Sequence, residues 1–373
     1  MNRKAFGILL VATGVFVVLA IVGQGPSGSG PIAGDSAGAL LFPALTDDLE
    51  SVGEIRVDAA GRERVVTLER SADDWVVAEL DGYEAERGAV NALLIALAEA
   101  RIVEEKTADP AFHSRLGVEA IDDAEAGGLE LTLVAADGDR YSVVLGATYG
   151  PGQRYARVAS EDLSVLIDRD PDIPEDPSDW VVTEIIDIAA DRVQSVEISH
   201  TDGESLAIRK AARGETNFSV EGVPVGRELQ YAGVANVTGN LLQGLRLEAV
   251  RRRIDEPEEP RAVTEFRTFD GLVIGVTATA GEDDETWLAF NARFDTGQAL
   301  AFATEPVGAG IAGDESGDGI DPVDAVDPGD PDAIAEAAAI NARLGDWQYR
   351  IASYQLGQLT RRMDDLLRPE ADE

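Results

Sequence analysis

Short apolar runs that alternate residue by residue, and that recur twice in the same order, constrain this chain most. Leu129, Leu131 and Leu133 fall on one face of an extended segment, Asp137-Gly138 turns the chain, and Val143 and Leu145 return. Period-two alternation marks strands with one buried face, and Asp-Gly between such runs marks a hairpin turn whose two central residues take positive φ. Upstream, Ile55 and Val57 face Val66 and Leu68 across Ala60-Gly61, and Trp75-Val76-Val77 adds a third strand. A helix through Val90, Leu93, Leu94, Leu97 and Arg101 follows, closed by Asp109-Pro110. Tyr155–Val158 and Val165–Ile167 complete this first sheet.

The arrangement then repeats. Val193, Val196 and Ile198 stand where Val52, Ile55 and Val57 stood; Asp202-Gly203 turns into Leu206 and Ile208; Phe218 and Val220 replace the Trp75 strand. Leu241, Leu242 and Leu245 predict a second helix, and Thr264–Phe269 with Leu272, Ile274 and Val276 form a hairpin about Asp270-Gly271, followed by Trp287–Phe290. The pattern predicts an α+β fold of two tandem related modules of antiparallel sheet plus helix. The first spans 46–170 and the second 180–305, with a Pro-rich linker over 171–179. An acidic, Gly-rich loop over 306–331 precedes a helix-strand-helix segment over 332–373. Its last, amphipathic helix carries Leu356, Leu359, Met363, Leu366 and Leu367 inward, ends at Pro369 and docks on a module.

Ahead of the modules, Ala5 to Val22 contains no charged residue, close to the ~20 residues that cross a hydrocarbon core. The run exceeds the apolar core of a cleavable signal, and Ile21-Val22-Gly23 is a poor cleavage site, so 1–23 reads as an uncleaved single transmembrane helix. Arg3 and Lys4 precede the span and the next basic residue is Arg56, which places the N-terminus in the cytoplasm and the bulk of the chain outside. Residues 24–45 make a flexible tether rich in Gly, Ser and Pro.

The net charge of −39 excludes nucleic acid and anionic lipid surfaces as partners. The absence of Cys excludes disulfides, thiol nucleophiles and Cys-type metal sites, and His113 and His200 are the only His. Neither has a ligand-type neighbour in sequence, so no metal and no cofactor is expected. Gly308, Gly310 and Gly313 fit a dinucleotide spacing, yet Pro306 precedes them and acids follow, where a strand and a helix are required. Gly34-Asp-Ser36-Ala-Gly38 fits a hydrolase elbow but lies in the tether. Asp314, Asp318, Asp321 and Asp324 imitate a calcium loop that has Ala325 where a bidentate Glu belongs. Arg251-Arg252-Arg253, the only basic cluster, either meets an acidic partner or pairs with Asp255, Glu256, Glu258 and Glu259. Trp75, Trp180, Trp287 and Trp347 read as core or hairpin aromatics, not a sugar platform. No catalytic residue is assigned, and a non-enzymatic protein is expected.

One resemblance emerges from the order of several motifs. The Trp75 strand, the helix from Val90 to Val103, Leu116-Gly117-Val118, the Asp137-Gly138 hairpin and Leu145-Gly146 follow one another. Tyr155-Ala-Arg157-Val158, Val165-Leu166-Ile167-Asp168 and the ending Trp347-Gln-Tyr349-Arg-Ile351-Ala-Ser-Tyr354 complete the set. Together, over most of 50–367, they resemble the domain-of-unknown-function family numbered 4340, single-pass bacterial envelope proteins similar to the outer domains of auxiliary proteins of gliding-motility-type ABC transporters. The resemblance implies an inner-membrane, mainly periplasmic accessory or scaffolding subunit whose partners are transporter or other envelope proteins. A periplasmic module that binds or senses a small ligand is the alternative. The resemblance supplies no catalytic residue.

Overall fold

A computed structural model describes residues 36–369 apart from 73, 255–259, 282–284 and 304–330. The expected transmembrane run, most of the tether and the acidic stretch therefore lie outside the described residues. Among those described, no helix is long and apolar enough to cross a membrane. The chain is a mixed α+β protein with two large antiparallel sheets. It divides into two compact units, one made of 1–65 and 91–173, the other of 66–90 and 174–373.

The first sheet contains β1 (Val52–Ala59), β2 (Glu63–Ser71), β3 (Asp74–Val77), β4 (Tyr83–Glu84), β5 (Ile102–Glu105), β6 (Leu129–Ala135), β7 (Arg140–Thr148), β8 (Arg154–Val158) and β9 (Ser164–Ile167), in the order β4-β3-β2-β1-β6-β7-β8-β9-β5. A small pair joins β10 (Glu184–Ile186) to β14 (Leu245–Arg246). The second sheet contains β11 (Val193–His200), β12 (Ser205–Arg209), β13 (Ser219–Val220), β15 (Ala249–Arg252), β16 (Pro260–Thr268), β17 (Leu272–Ala280), β18 (Thr286–Phe294) and β19 (Trp347–Arg350). Its order is β13-β12-β11-β16-β17-β18-β19-β15. Without β4, the two orders correspond strand for strand, down to an edge strand that follows the helical segment and returns beside the last strand.

Alternation produced these strands as expected. Ile55, Val57, Leu131 and Leu133 are buried in the first sheet, as are Val196, Ile198, Phe266, Ile274 and Val276 in the second. The hairpin turns differ from expectation in one respect. Gly138, Gly203 and Gly271 have positive φ, whereas the preceding Asp residues do not. The Gly203 amide bonds His200 O at 3.0 Å and the His200 amide bonds Glu204 O at 2.9 Å, a three-residue loop with glycine in the left-handed position. The carboxylates of Asp137 and Asp202 instead accept from the amides of Asp139 and Glu204, holding the turn from its side chain.

Three helices depart from the sequence reading. The first spans Arg87–Ala98 and stops before Arg101, because the chain enters β5, which the 3.6-residue pattern had absorbed. Asp109 does not close that helix; it caps a short 3-10 segment, Pro110–Arg115, through the Ala111 amide. The second expected helix shrinks to one turn, Asn236–Gly239. Gly239 lies so close to the Phe218 ring that a Cβ would stand 2.2 Å from it, and Gly244 turns left-handed before Leu245 enters β14. The C-terminal helix breaks after Ser353–Leu359, and Leu366 and Leu367 reach the core from a separate 3-10 turn. The first part does dock on the second unit, where the Thr264 hydroxyl donates to Leu359 O at 2.7 Å.

The motif glycines of the first unit have a steric cause. The Ala147 amide donates to Leu116 O at 2.9 Å, bringing 116–118 down onto β7. A Cβ on Gly146 would sit 2.1 Å from Leu116 O, and one on Gly128 would sit 2.2 Å from Gly117 O. Only hydrogen fits at either position. The approach seats Val118 and Ile121 on Val144 in a buried cluster.

Candidate functional site

The second unit carries a cleft of about 290 Å³. Its floor is strand residues Gln194–Glu197 of β11 and Ala207–Arg209 of β12, with Arg267 of β16; its wall is Gln298 and Phe302 of the helix Thr296–Phe302. Register fixes the arrangement. Ser195 stands opposite Arg209 on one side and Arg267 on the other, so the hydroxyl-bearing residue lies between two guanidinium-bearing ones. Gln194 is buried, donates to Lys210 O at 2.9 Å and accepts from Gln298 Nε2 at 3.2 Å.

Electrostatically the cleft is self-compensated. Arg209 forms a bidentate pair with Glu221 at 2.7 and 2.9 Å. Arg267 pairs with Glu265 and, at 3.2 Å, with Asp295; Arg293 bridges the same two carboxylates at 2.8 and 3.5 Å. The Gln298 amide, followed by Arg293 and Arg267, holds the Asp295 carboxyl below the usual carboxylate range, and hydrogen bonding to Glu265 raises Arg293. Asp295 also caps the helix that walls the cleft, through that amide at 3.1 Å. Among the described residues no histidine lines the cleft; the carboxylate that lines it on the same strand as Ser195 is that of Glu197. Such a surface, with a hydroxyl, two guanidiniums and two side-chain amides, can hold a polar ligand.

A second feature lies where β15 runs beside β19. Arg251 stacks on Trp287 with 4.2 Å from guanidinium carbon to ring centroid, Arg350 approaches the same ring at 6.0 Å, and Arg252 stacks on Trp347 at 4.2 Å. Arg251 Nε donates to Gln348 at 2.9 Å, and the Arg253 amide donates to Asp346 O at 2.9 Å. The expected acidic partners at 255–259 lie outside the described residues; the aromatic rings were the partners that spacing did not suggest. Beneath this edge, burial raises the phenols of Tyr83 and Tyr349, and Tyr349 packs edge-on to Phe290 and Tyr83.

Each of the remaining candidates has its own partner. The Ser36 hydroxyl donates to Glu105, with no histidine beside it. His113 is buried, its Nε2 2.8 Å from Asp162 O, and His200 at the end of β11 has Nε2 3.2 Å from Arg361 O. Trp75, Trp180 and Trp287 are buried, as core aromatics should be, and Trp347 is half-buried. The Gly308–Gly313 run and the Asp314–Asp324 acids lie outside the described residues. Among the described residues no three His, Asp or Glu gather in a metal-holding group. Ser195, Gln194 and Gln298 were not singled out from sequence. Only strand register, which brings Ser195 between two Arg, distinguishes them from other polar residues.

No curated protein and no solved structure was found to match the chain. A family model described as a domain of unknown function, DUF4340, matches residues 75–263, just over half of the chain.

Proposed function

The chain belongs to the DUF4340 family, and from that premise we propose that it is a membrane-anchored, extracytoplasmic accessory protein, an auxiliary or scaffolding subunit of an ABC-type transport system. The observation that carries the reading is the chemistry of the two polar surfaces. Each holds its guanidiniums in pairs or on aromatic rings, which suits recognition. The shared strand order of the two sheets supports duplication of one module, which multiplies contact surface without adding a reactive centre. The uncharged run 5–22, with Arg3 and Lys4 before it, supports the single anchor with the bulk of the chain outside.

The test is recovery of the full-length protein from its own membranes in a gentle detergent, with mass spectrometry of what accompanies it. ABC-transporter subunits in stoichiometric amounts are expected; the protein alone would overturn the reading. The cleft of about 290 Å³ favours a second reading, a small-ligand module, which predicts a small polar molecule that raises the melting temperature of the protein by mass action.

A further inference from the structure

We propose that the cleft of the second unit is a binding site for a small ammonium compound with an apolar body, and that Glu197 receives its charged end. At about 290 Å³ the cleft stands at the lower end of the range of small-ligand sites, roughly 300–1,000 Å³. The class of ligand follows from which lining groups already have partners and which do not.

Both guanidiniums that line the cleft have carboxylate partners. Arg209 is held by Glu221, and Arg267 shares Glu265 and Asp295 with Arg293. These pairs leave one carboxylate of the lining over, that of Glu197. Register shows why no basic residue reaches it. On β16 Glu197 stands opposite Glu265, whose oxygens already bind Arg267 and Arg293. On β12 it stands opposite Ala207, whose methyl has no hydrogen to donate. Like charges directly opposite in a sheet repel, so the position carries an unmatched negative charge. Among the described residues, no cation pairs with the Glu197 carboxylate and no donor bonds it.

The other open polar atoms of the lining also accept. Ser195, two residues before Glu197, shares its face of β11, and among the described residues its hydroxyl has no hydrogen-bond partner. Gln298 uses its Nε2 on Gln194 Oε1 and on Thr268 O, at 3.2 and 3.3 Å, which leaves Oε1 as its open atom. A carboxylate, an amide oxygen and a hydroxyl take N–H donors, and an ammonium brings three of them with a positive charge. Beside them Ala207 and Phe302 supply apolar surface, and the Phe302 ring is held edge-on to Phe269 with centroids 5.0 Å apart. An anion meets repulsion at Glu197 and a neutral alcohol leaves its charge unmatched, so the site selects an ammonium with a short hydrocarbon or aromatic body.

This inference rests on the reading of the cleft as a small-ligand module, and its test separates the two. The full-length protein in detergent micelles is titrated at neutral pH with benzylammonium, and with benzyl alcohol and phenylacetate as neutral and anionic compounds of similar size, followed by ligand-observed NMR. Two variants accompany the parent: Glu197→Gln, which removes the charge and keeps the shape, and Ala207→Leu, which fills the cleft beside Glu197. Glu197→Gln also relieves the repulsion from Glu265, so its melting temperature should not fall and lost binding is not lost folding. Benzylammonium is expected to bind the parent saturably and less tightly as salt rises. Its binding should weaken at least about tenfold in each variant, and exceed that of either comparison compound by at least about tenfold. Equal binding by Glu197→Gln, or no saturable binding by the parent below about 10 mM, would overturn the proposal. Binding lost in Glu197→Gln but kept in Ala207→Leu would put the contact outside the cleft and overturn it as well. Tighter binding of the alcohol or the carboxylate, abolished by Ala207→Leu, would overturn the ammonium class and leave the small-ligand reading standing.

Discussion

Asn341 offers the sharpest test of how the second unit is closed. β19 meets β18 only at Leu288 opposite Tyr349, so beyond that point the edge of β18 lacks a strand. Asn341, on the helix Pro331–Leu344, fills the place of one. Its Oδ1 accepts from the Ala292 amide at 2.8 Å and its Nδ2 donates to Ala292 O at 2.7 Å, so a side-chain amide imitates a peptide unit. Ala292 is only 7% exposed, and the helix buries Ala337, Ile340 and Leu344 on the same side. Asn341→Leu keeps most of the volume and removes both bonds. Each bond is worth about 1 kcal/mol net and each stranded group costs up to about 3 kcal/mol, so a loss of roughly 2–4 kcal/mol is expected. The four tryptophans, Trp75, Trp180, Trp287 and Trp347, all belong to the second unit, so urea unfolding followed by tryptophan fluorescence reports on that unit. The midpoint should fall at unchanged slope, and hydrogen exchange at Ala292 should accelerate by the same free energy. A midpoint within about 0.5 kcal/mol of the parent, the spread of ordinary surface changes, would refute the reasoning.

Arg192 binds Asp270 at 2.9 Å and Glu336 bidentately at 2.9 and 2.8 Å, tying the β16–β17 turn to the same helix. Arg192→Lys loses the fork geometry and should lower the tryptophan-monitored stability by about 1–3 kcal/mol, measured by urea titration. Gly146→Ala drives a methyl into Leu116 O, so far-UV circular dichroism should lose signal from the first unit while tryptophan emission from the second is retained. The Tyr141 phenol donates to the Asp48 carboxylate, which pushes its pKa above the ordinary phenol range, up to about 12. A raised folded-state pKa gives stability that is complete below about pH 10 and is lost as pH rises towards about 12, so the stability gap between parent and Tyr141→Phe should close over that window in alkaline denaturation.

The hairpins were legible because alternation and Asp-Gly are both local, and local signals decide register in a sheet with one buried face. Leu93, Leu94 and Leu97 were legible as a helix face for the same reason. Leu241, Leu242 and Leu245 are buried as their spacing suggested, yet a ring from distant Phe218 against Gly239 and a left-handed Gly244 replace the helix by turns. The break after Leu359 is not legible in sequence because Leu366 and Leu367 keep an apolar spacing that a 3-10 turn serves equally well. The candidate surfaces were the least legible. Ser195 between Arg209 and Arg267, Arg251 on Trp287 and Asn341 on Ala292 are all products of pairing between strands or helices distant in sequence, and no window of sequence holds both partners.

The proposed role places recognition of a transporter in the chain from residue 36 onward and not in the run 1–38. The most direct measurement exchanges the two: residues 36–373 carried on an unrelated single-pass anchor, and residues 1–38 carrying an unrelated soluble domain, each recovered from native membranes in gentle detergent with quantitative mass spectrometry. ABC-transporter subunits are expected to follow residues 36–373 and to be absent from the fusion that carries residues 1–38. Subunits that follow residues 1–38, or that follow neither protein, would contradict that role.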